Sequence, residues 1–149
     1  MSAIKAAILA DIKTCMKTGD KTRLGVLRLI SAAVKQREVD ERIEIDDPSM
    51  ITILDKMAKQ RRESIEQFTK GDRADLAAVE LAELEIIQTY LPQALPQDEI
   101  ESLIETAISN TGASSIRDMG KVMGILKPQL QGRADMSAVS ALIKSKLGA

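Results

Sequence analysis

The sequence predicts an all-α fold, with an N-terminal bundle of about four long helices and a small C-terminal domain of three helices. The 149 residues are 44% apolar but include only one Phe, one Tyr and no Trp. The core must therefore be aliphatic, which favours helices over sheets. Apolar residues also recur at helical spacing along most of the chain. Two of the four prolines lie in residues 91–96, where a helix cannot continue, so we predict domains at 1–92 and 97–149.

Four helices are predicted in the N-terminal domain, ending near residues 17, 42, 70 and 90. Each begins after a short polar side chain that can accept hydrogen bonds from the first turn. Gly19 and Gly71 are expected to end the first and third helices. At Asp47-Pro48 the cap precedes a proline, whose fixed φ suits the first helical position. The expected caps are Ser2, Asp20, Asp47 and Asp72. The expected core residues are Ile4, Ile8, Ile12, Cys15, Leu24, Leu27, Ile30, Val34, Ile51, Leu54, Ala58, Ile65, Phe68, Leu76, Val79, Ile86 and Ile87.

Three shorter helices are predicted in the C-terminal domain. The fifth helix should stop at Gly112. Ser115, with Asp118 three residues later, resembles a capping box before the sixth helix. That helix should end near Leu126-Lys127-Pro128, because proline interrupts a helix interior. Asp135 is the expected cap of the seventh. The core residues expected here are Ile100, Leu103, Ile104, Ala107, Ile108, Val139, Leu142, Ile143 and Leu147.

The residue types present limit the chemistry that the chain can perform by itself. It has no histidine, which removes Ser-His and Cys-His catalysis and histidine metal ligands. The single cysteine, Cys15, cannot form an intrachain disulfide and lies on an apolar stripe, where we expect an inert buried thiol. We therefore predict no catalytic residues, no cofactor and no metal. No signal peptide or long apolar run is evident, so we expect a cytoplasmic protein without membrane contact.

Positive charge and glycine are concentrated in residues 117–135, which hold three glycines and four basic residues. Residues 112–149 as a whole contain six Lys or Arg and two acidic residues, a local charge of +4. Glycine lets an anion approach backbone N–H groups, and Lys or Arg supplies the opposite charge. The candidate nucleic-acid-binding residues are Gly120, Gly124, Gly132, Lys121, Lys127, Arg133, Lys144 and Lys146.

Two parts of this stretch have competing interpretations. Gly120 and Gly124, four residues apart, suit either close packing against another helix or a flat surface for an RNA backbone. Arg133 precedes the N-terminus of the seventh helix, whose N–H groups can bind phosphate. Asp135, as the cap, would instead occupy those N–H groups and repel anions.

A second basic face is predicted in the N-terminal domain. Residues 35–38 read Lys-Gln-Arg-Glu, and residues 59–63 read Lys-Gln-Arg-Arg-Glu. The pattern is typical of a solvated face with ion pairs such as Arg62–Glu66, and it also suits a groove that binds RNA or a protein. The basic residues of this face are Lys35, Arg37, Lys59, Arg61 and Arg62.

Four segments together resemble one protein family over essentially the whole chain. They are Arg23-Leu24-x-Val26-Leu27-Arg28, the run 59–68, Glu83-x-Glu85-Ile86 with Tyr90-Leu91-Pro92, and the stretch from Gly112-Ala113-Ser114 to Gly132-Arg133-Ala134-Asp135. On these motifs the chain resembles the YqeY family. Its C-terminal half is similar to the tail domain of the GatB subunit of tRNA-dependent amidotransferases.

The resemblance implies a role near tRNA. In amidotransferases the similar tail domain reaches the outer part of tRNA, and similar domains are attached to some bacterial glutaminyl-tRNA synthetases. The family label carries a carbon–nitrogen ligase term with glutamine as amide donor. Three hypotheses follow: a non-catalytic tRNA-binding accessory module; a module that docks on an aminoacyl-tRNA synthetase or amidotransferase through the Lys59–Phe68 face; and a subunit of an amidating enzyme whose chemistry comes from its partners.

Overall fold

The computed structural model describes residues 2–148, which contain seven α-helices and no β-strand. The predicted all-α class is confirmed. The helices are α1 (Ala3–Thr18), α2 (Lys21–Glu41), α3 (Asp47–Lys70), α4 (Ala74–Gln88), α5 (Gln97–Thr111), α6 (Met119–Leu130) and α7 (Met136–Lys146), with a 3₁₀ turn at Ile116–Asp118 before α6. One compact unit ends at Leu91 and a second begins at Pro92. Met1 and Ala149, the outermost residues of the two predicted domains, lie outside the described residues.

The first unit pairs α1 with α2 and α3 with α4 around an aliphatic core. Leu27, Ile30 and Leu54 are fully buried there, and Cys15 is buried as predicted. Val79 was expected in the core but is 56% exposed. The side of α4 that faces α3 is occupied near this position by two glutamates that pair with an arginine of α3, which leaves Val79 facing solvent.

Two of the predicted caps in the first unit form as expected. The side chain of Ser2 accepts a hydrogen bond from the Lys5 N–H (3.1 Å), and that of Asp20 accepts one from the Arg23 N–H (3.1 Å). Gly19 ends α1 with φ of 77°, a left-handed conformation that glycine adopts without steric cost. Local sequence is enough to place these boundaries, because each partner lies within one turn.

The other two predicted caps are wrong. The cap of α3 is Asp46, which accepts from the Ser49 N–H (2.9 Å). Asp47 lies inside the helix, and its carboxylate instead accepts from the Ser2 hydroxyl and the Ile4 N–H, fastening the start of α1 to α3. Asp72 adopts a left-handed φ of 57° in the turn before α4, and no side chain caps that helix. A partner distant in sequence therefore decided the role of Asp47.

The second unit packs α5, α6 and α7 around its own core. Gly112 ends α5 with φ of 67°. Ser115 and Asp118 form the predicted capping box, in which the Asp118 carboxylate accepts from the N–H groups of Ser114 (3.0 Å) and Ser115 (3.4 Å). Asp135 caps α7 as predicted. The buried side chains of the second unit include Ile104, Val122, Leu126, Leu130, Val139 and Ile143.

Pro128 does not end α6, contrary to prediction. The helix continues to Leu130 with proline inside it. Proline removes the N–H that would bond to the Gly124 carbonyl, but Gly124 is exposed, so water can satisfy that carbonyl. Leu126 and Leu130 are both fully buried, and their packing holds the last turn in helical form.

Candidate nucleic-acid interface

One line along α6 lacks long side chains. Gly120, Gly124 and Pro128 recur every four residues and are exposed, so they follow one line along the helix. The opposite side carries Val122 and Leu126, which are fully buried. Lys121 and Lys127 are exposed beside the bare line. These five residues, Gly120, Lys121, Gly124, Lys127 and Pro128, form what we call the α6 face.

The two helical glycines of the α6 face have open space where a side chain would lie. A Cβ atom built on either Gly120 or Gly124 would meet no heavy atom within 4 Å. Neither residue adopts the left-handed conformation that favours glycine. Close packing against another helix, one of the two interpretations of this spacing, therefore does not occur within residues 2–148. No conformational or packing requirement of the described chain explains these glycines.

The charges on the α6 face are largely uncompensated. Among the described residues, neither Lys121 nor Lys127 forms an ion pair. The pKa of Asp118 lies below its ordinary value mainly because its carboxylate accepts the Ser114 N–H, with a smaller contribution from the charge of Lys121. The two lysines are thus available to an anionic ligand that lies across the glycines.

Arg133 and Gly132 have structural roles in the second unit. The Arg133 guanidinium donates from Nε to the Gln93 carbonyl (3.1 Å), and the Arg133 carbonyl accepts from the Leu95 N–H (3.0 Å). Arg133 therefore holds the segment that leads into α5. Gly132 has φ of 78°, which the turn after α6 requires. Both predicted site residues are explained by local architecture rather than by a ligand.

The start of α7 is also occupied. Asp135 accepts a hydrogen bond from the Ser137 N–H (3.0 Å), the arrangement that competes with a phosphate at this helix end. Lys146 donates to Glu105 of α5 (3.1 Å), whereas Lys144 is exposed and forms no ion pair with residues 2–148. Of the eight candidate residues, the structure brings four together, on the α6 face.

The second basic face is dispersed over different sides of its helices. Lys35 lines a cavity that α2 shares with α1, while Arg37 lines one that α2 shares with α3. Arg37 pairs with Glu41 at 3.1 Å. Lys59 and Arg62 are exposed on α3. The predicted Arg62–Glu66 pair does not form, because Glu66 pairs with Lys70 at 2.9 Å.

Arg61 belongs to a cluster between α3 and α4. Its Nε lies 2.8 Å from Oε2 of Glu83 and 3.5 Å from Oε2 of Glu80, and its side chain is only 17% exposed. This arrangement agrees with the interpretation that basic residues of the run 59–63 form ion pairs within the protein. Arg61 is not available to a ligand without loss of that cluster.

Two of the motif residues meet in a network that sequence reasoning did not anticipate. The Tyr90 hydroxyl donates to Oδ2 of Asp11 (2.5 Å) and accepts from Nη2 of Arg23 (3.0 Å). The Arg23 guanidinium also lies 5.7 Å from the Tyr90 ring centroid, within cation–π range. Burial and the hydrogen bond to Asp11 raise the pKa of Tyr90 to about 12. The network ties the end of the first unit to α1 and α2.

Residues 2–148 contain no group of three or more His, Cys, Asp or Glu side chains arranged to hold a metal ion. None of the helices within this range combines the length and the apolar character needed to cross a membrane.

The fold and the α6 face define a small helical protein of two units, the second of which carries an exposed glycine–lysine surface. The family model described as Yqey-like protein matches residues 5–147. The chain therefore belongs to the YqeY family, as the sequence motifs predicted.

Fungal relatives match over most of the chain. The protein named Altered inheritance of mitochondria protein 41, mitochondrial, from Pyrenophora tritici-repentis is 29% identical over 143 residues, which is 94% of this chain and 78% of that protein. Its namesake from Vanderwaltozyma polyspora is 28% identical over 91% of this chain and 77% of that protein. The one from Eremothecium gossypii is 36% identical over 68% of this chain and 56% of that protein.

The names of these relatives contradict the predicted location. All three are named as mitochondrial proteins, so the expectation of a cytoplasmic protein was wrong. The expectation depended on the lack of an evident signal peptide or long apolar segment. That lack does not distinguish the cytoplasm from other aqueous compartments.

Proposed function

We propose that this chain is a non-catalytic accessory module that binds tRNA through the α6 face. The observation that carries the proposal is the exposed pair Gly120 and Gly124, where a Cβ would meet nothing within 4 Å. Glycine within a helix costs about 0.5–1 kcal/mol relative to alanine. Packing within the chain does not explain glycine at these two positions, whereas a ligand that lies close to the helix backbone would require it.

The charge pattern of the α6 face supports a phosphate backbone as the ligand. Lys121 and Lys127 lie on either side of the glycine line, without ion pairs to residues 2–148. Phosphate contacts by Lys position a protein on a nucleic acid without reading its sequence. The two aromatic residues, Phe68 and Tyr90, both belong to the first unit, so the α6 face offers no ring on which a base could stack. Recognition would therefore depend on the shape of a folded RNA.

The family resemblance supports tRNA as that RNA. The second unit is similar to the GatB tail domain, which in amidotransferases reaches the outer part of tRNA. Arg133 and Lys146, two of the candidate contacts, are engaged within the unit. We therefore limit the proposed interface to the α6 face, extended by the exposed Lys144.

The alternative is a module that docks on an aminoacyl-tRNA synthetase or an amidotransferase through the Lys59–Phe68 face, or that serves a carbon–nitrogen ligase as a subunit. It has less support, because Arg61 in the centre of that face is paired with Glu80 and Glu83. In either case, the chemistry of amidation would come from the partner.

The test is a comparison of two double charge reversals in the intact chain. The variant Lys121→Glu with Lys127→Glu should weaken binding of unfractionated tRNA at least about tenfold, since each change removes an attraction and adds a repulsion. The salt dependence of binding should fall by about one unit of slope per lost phosphate contact. The matched control is Lys59→Glu with Arg62→Glu, which makes the same charge change at exposed positions of α3.

Circular dichroism should show unchanged helicity in both variants, because all four side chains are exposed. Equal weakening by the two pairs would indicate non-specific attraction to a polyanion. Weakening by the α3 pair alone would assign the RNA to the first unit. Either result would overturn the proposed α6 interface.

A further inference from the structure

A cavity opens in the first unit along the line where α1 and α2 meet. Its volume is about 230 Å³. Buried apolar side chains form its floor, and more exposed side chains of both helices form its rim. The floor includes Ile8, Ile30 and Met50, and the rim includes Leu9, Ser31 and Lys35.

The rim of this cavity is part of a repeated pattern. Leu9 and Met16, seven residues apart on α1, are 39% and 53% exposed. Lys35 and Arg28, also seven apart, lie beside them on α2: Lys35 lines the same cavity as Leu9, and Nη2 of Arg28 lies 3.9 Å from Sδ of Met16. Seven helical residues span about 10.5 Å. Leu9, Met16, Arg28, Ser31 and Lys35 together form what we call the α1–α2 seam.

The seam lies in the most basic part of the chain. Residues 2–37 contain eight Lys or Arg and two acidic residues, a local charge of +6 that the overall charge of −1 conceals. Three of these eight basic residues are ion-paired, Lys5 with Glu38, Arg23 with Asp11 and Arg37 with Glu41. Arg28 and Lys35 of the seam form no ion pair with residues 2–148, so they favour a ligand that brings negative charge.

The charge at the cavity mouth comes from one lysine. The nearby Lys5 donates to both carboxylate oxygens of Glu38 at 2.9 Å, so these two charges offset each other. Lys35 is exposed and forms no ion pair with residues 2–148. An occupant with an apolar part for the floor and an acidic group for Lys35 satisfies both features.

The size and spacing of the seam favour a helix over a small molecule or a nucleic acid. Small-molecule pockets usually measure about 300–1,000 Å³, and this cavity is smaller, with room for one large side chain. Phosphates would gain nothing from Leu9 and Met16. A helix with apolar residues at heptad spacing presents one such side chain every 10.5 Å or so, which matches the repeat of the seam.

We propose that the α1–α2 seam docks an acidic amphipathic helix of a partner protein. A leucine or phenylalanine of that helix enters the cavity, and a second apolar residue one heptad away packs on Met16. Glutamate or aspartate residues beside them pair with Lys35 and Arg28. This mode of recognition is the helix-in-groove type, in which apolar anchors set the affinity and flanking charges set the orientation.

The test uses a synthetic probe and the full chain. The probe is a fluorescein-labelled 18-residue peptide with Leu at heptad positions a and d, Glu at e and g, and Ala elsewhere. Its control has the same composition in scrambled order, which keeps the charge but removes the apolar stripe. Fluorescence anisotropy should show saturable binding of the probe that persists, although weakened, in about 0.5 M salt, because part of the contact is apolar.

Two seam variants and one control locate the binding. Lys35→Glu with Arg28→Glu removes the charges, and Ser31→Phe fills the cavity from its rim. Each should weaken probe binding at least about tenfold. Lys59→Glu with Arg62→Glu carries the same charge change on α3 and should leave binding within about twofold. All five substituted positions are partly or fully exposed, and circular dichroism checks that each of the three variants folds.

The proposal fails if the scrambled peptide binds as tightly as the probe, or if the control variant loses binding equally. It fails also if Ser31→Phe has no effect, since the cavity is then not occupied. Sedimentation of the unliganded chain tests whether a second copy of the chain occupies the seam. A dimer that the seam variants abolish would assign the seam to self-association. Displacement of the probe by tRNA, lost in the same variants, would assign it to RNA.

Discussion

Gly124→Ala separates the stability of α6 from its proposed function. The added methyl group meets no heavy atom within 4 Å, and the backbone is not left-handed. Alanine also has less conformational freedom to lose in folding than glycine has. The substitution should therefore stabilise the second unit by about 0.5–1 kcal/mol. At the same time it places a side chain where we propose that the tRNA backbone lies, so binding should weaken.

Native-state hydrogen exchange in the full chain measures the first effect. The amides of Leu126 and Leu130, in the second half of α6, should exchange about two- to fivefold more slowly in the variant, as the free-energy change requires. Binding of tRNA measures the second effect. The matched control is Gly25→Ala on α2, where a Cβ also meets nothing within 4 Å, so that helix should be stabilised with no change in tRNA affinity.

Two results would refute this reasoning. Faster exchange in Gly124→Ala would mean that the glycine has a packing or conformational role that the contacts of α6 do not show. Unchanged tRNA binding, with slower exchange, would mean that no ligand approaches the helix at this position, and the proposed interface would lose its main support.

Four other perturbations test the remaining structural conclusions. Arg61→Met should lower the free energy of unfolding in urea by about 1–3 kcal/mol, because it leaves two half-buried glutamates unpaired; Arg62→Met should change it by less than about 0.5 kcal/mol. The absorbance of Tyr90, the single tyrosine, should change with a midpoint near pH 12. The protonated hydroxyl stabilises the fold fully below the unfolded pKa near 10, and this stabilisation should be lost as the pH rises through 12. A midpoint near pH 10 would contradict the network. Hydrogen bonds lower the pKa of Asp47, so its contribution to stability is present above the ordinary pKa near 4 and is lost on acidification. The variant Asp47→Asn should unfold more readily at pH 7, and its stability should fall less as the pH is lowered. An unchanged dependence of stability on acid pH would contradict this. We propose that the two units are separable domains joined in residues 91–96, so proteases should cut there first, and faster in Arg133→Ala, which releases that segment; equal rates would show that Arg133 does not hold it.

Local features of the sequence were sufficient for the fold class and for most helix boundaries. Ser2, Asp20 and Asp135 cap helices through partners within three residues, and Gly19 and Gly112 end helices by adopting a conformation that other residues avoid. The aliphatic composition and the helical spacing of apolar residues predicted the all-α class. The motifs predicted the family, which the match over residues 5–147 confirms.

The candidate site was only partly accessible to sequence reasoning. The glycine–lysine pattern of residues 120–127 was recognisable, but its spacing suited both close packing and an open surface. The sequence does not distinguish between the two interpretations, because the answer depends on whether another helix packs over the glycines. The basic segment 2–37 was missed because only the C-terminal charge was counted, and counting charge in successive segments would have found it.

The helices, the aliphatic core and the family could be inferred from the sequence, because they depend on residue type and on neighbours within a turn or two. Which polar residues remain available to a ligand depends instead on contacts between distant parts of the chain. Arg61 is engaged by α4, Arg133 by the segment before α5 and Asp47 by the start of α1, while the α6 face is left open. A charged or hydrogen-bonding side chain takes the best partner within reach, and folding brings into reach partners that lie 22 to 45 residues away in the chain.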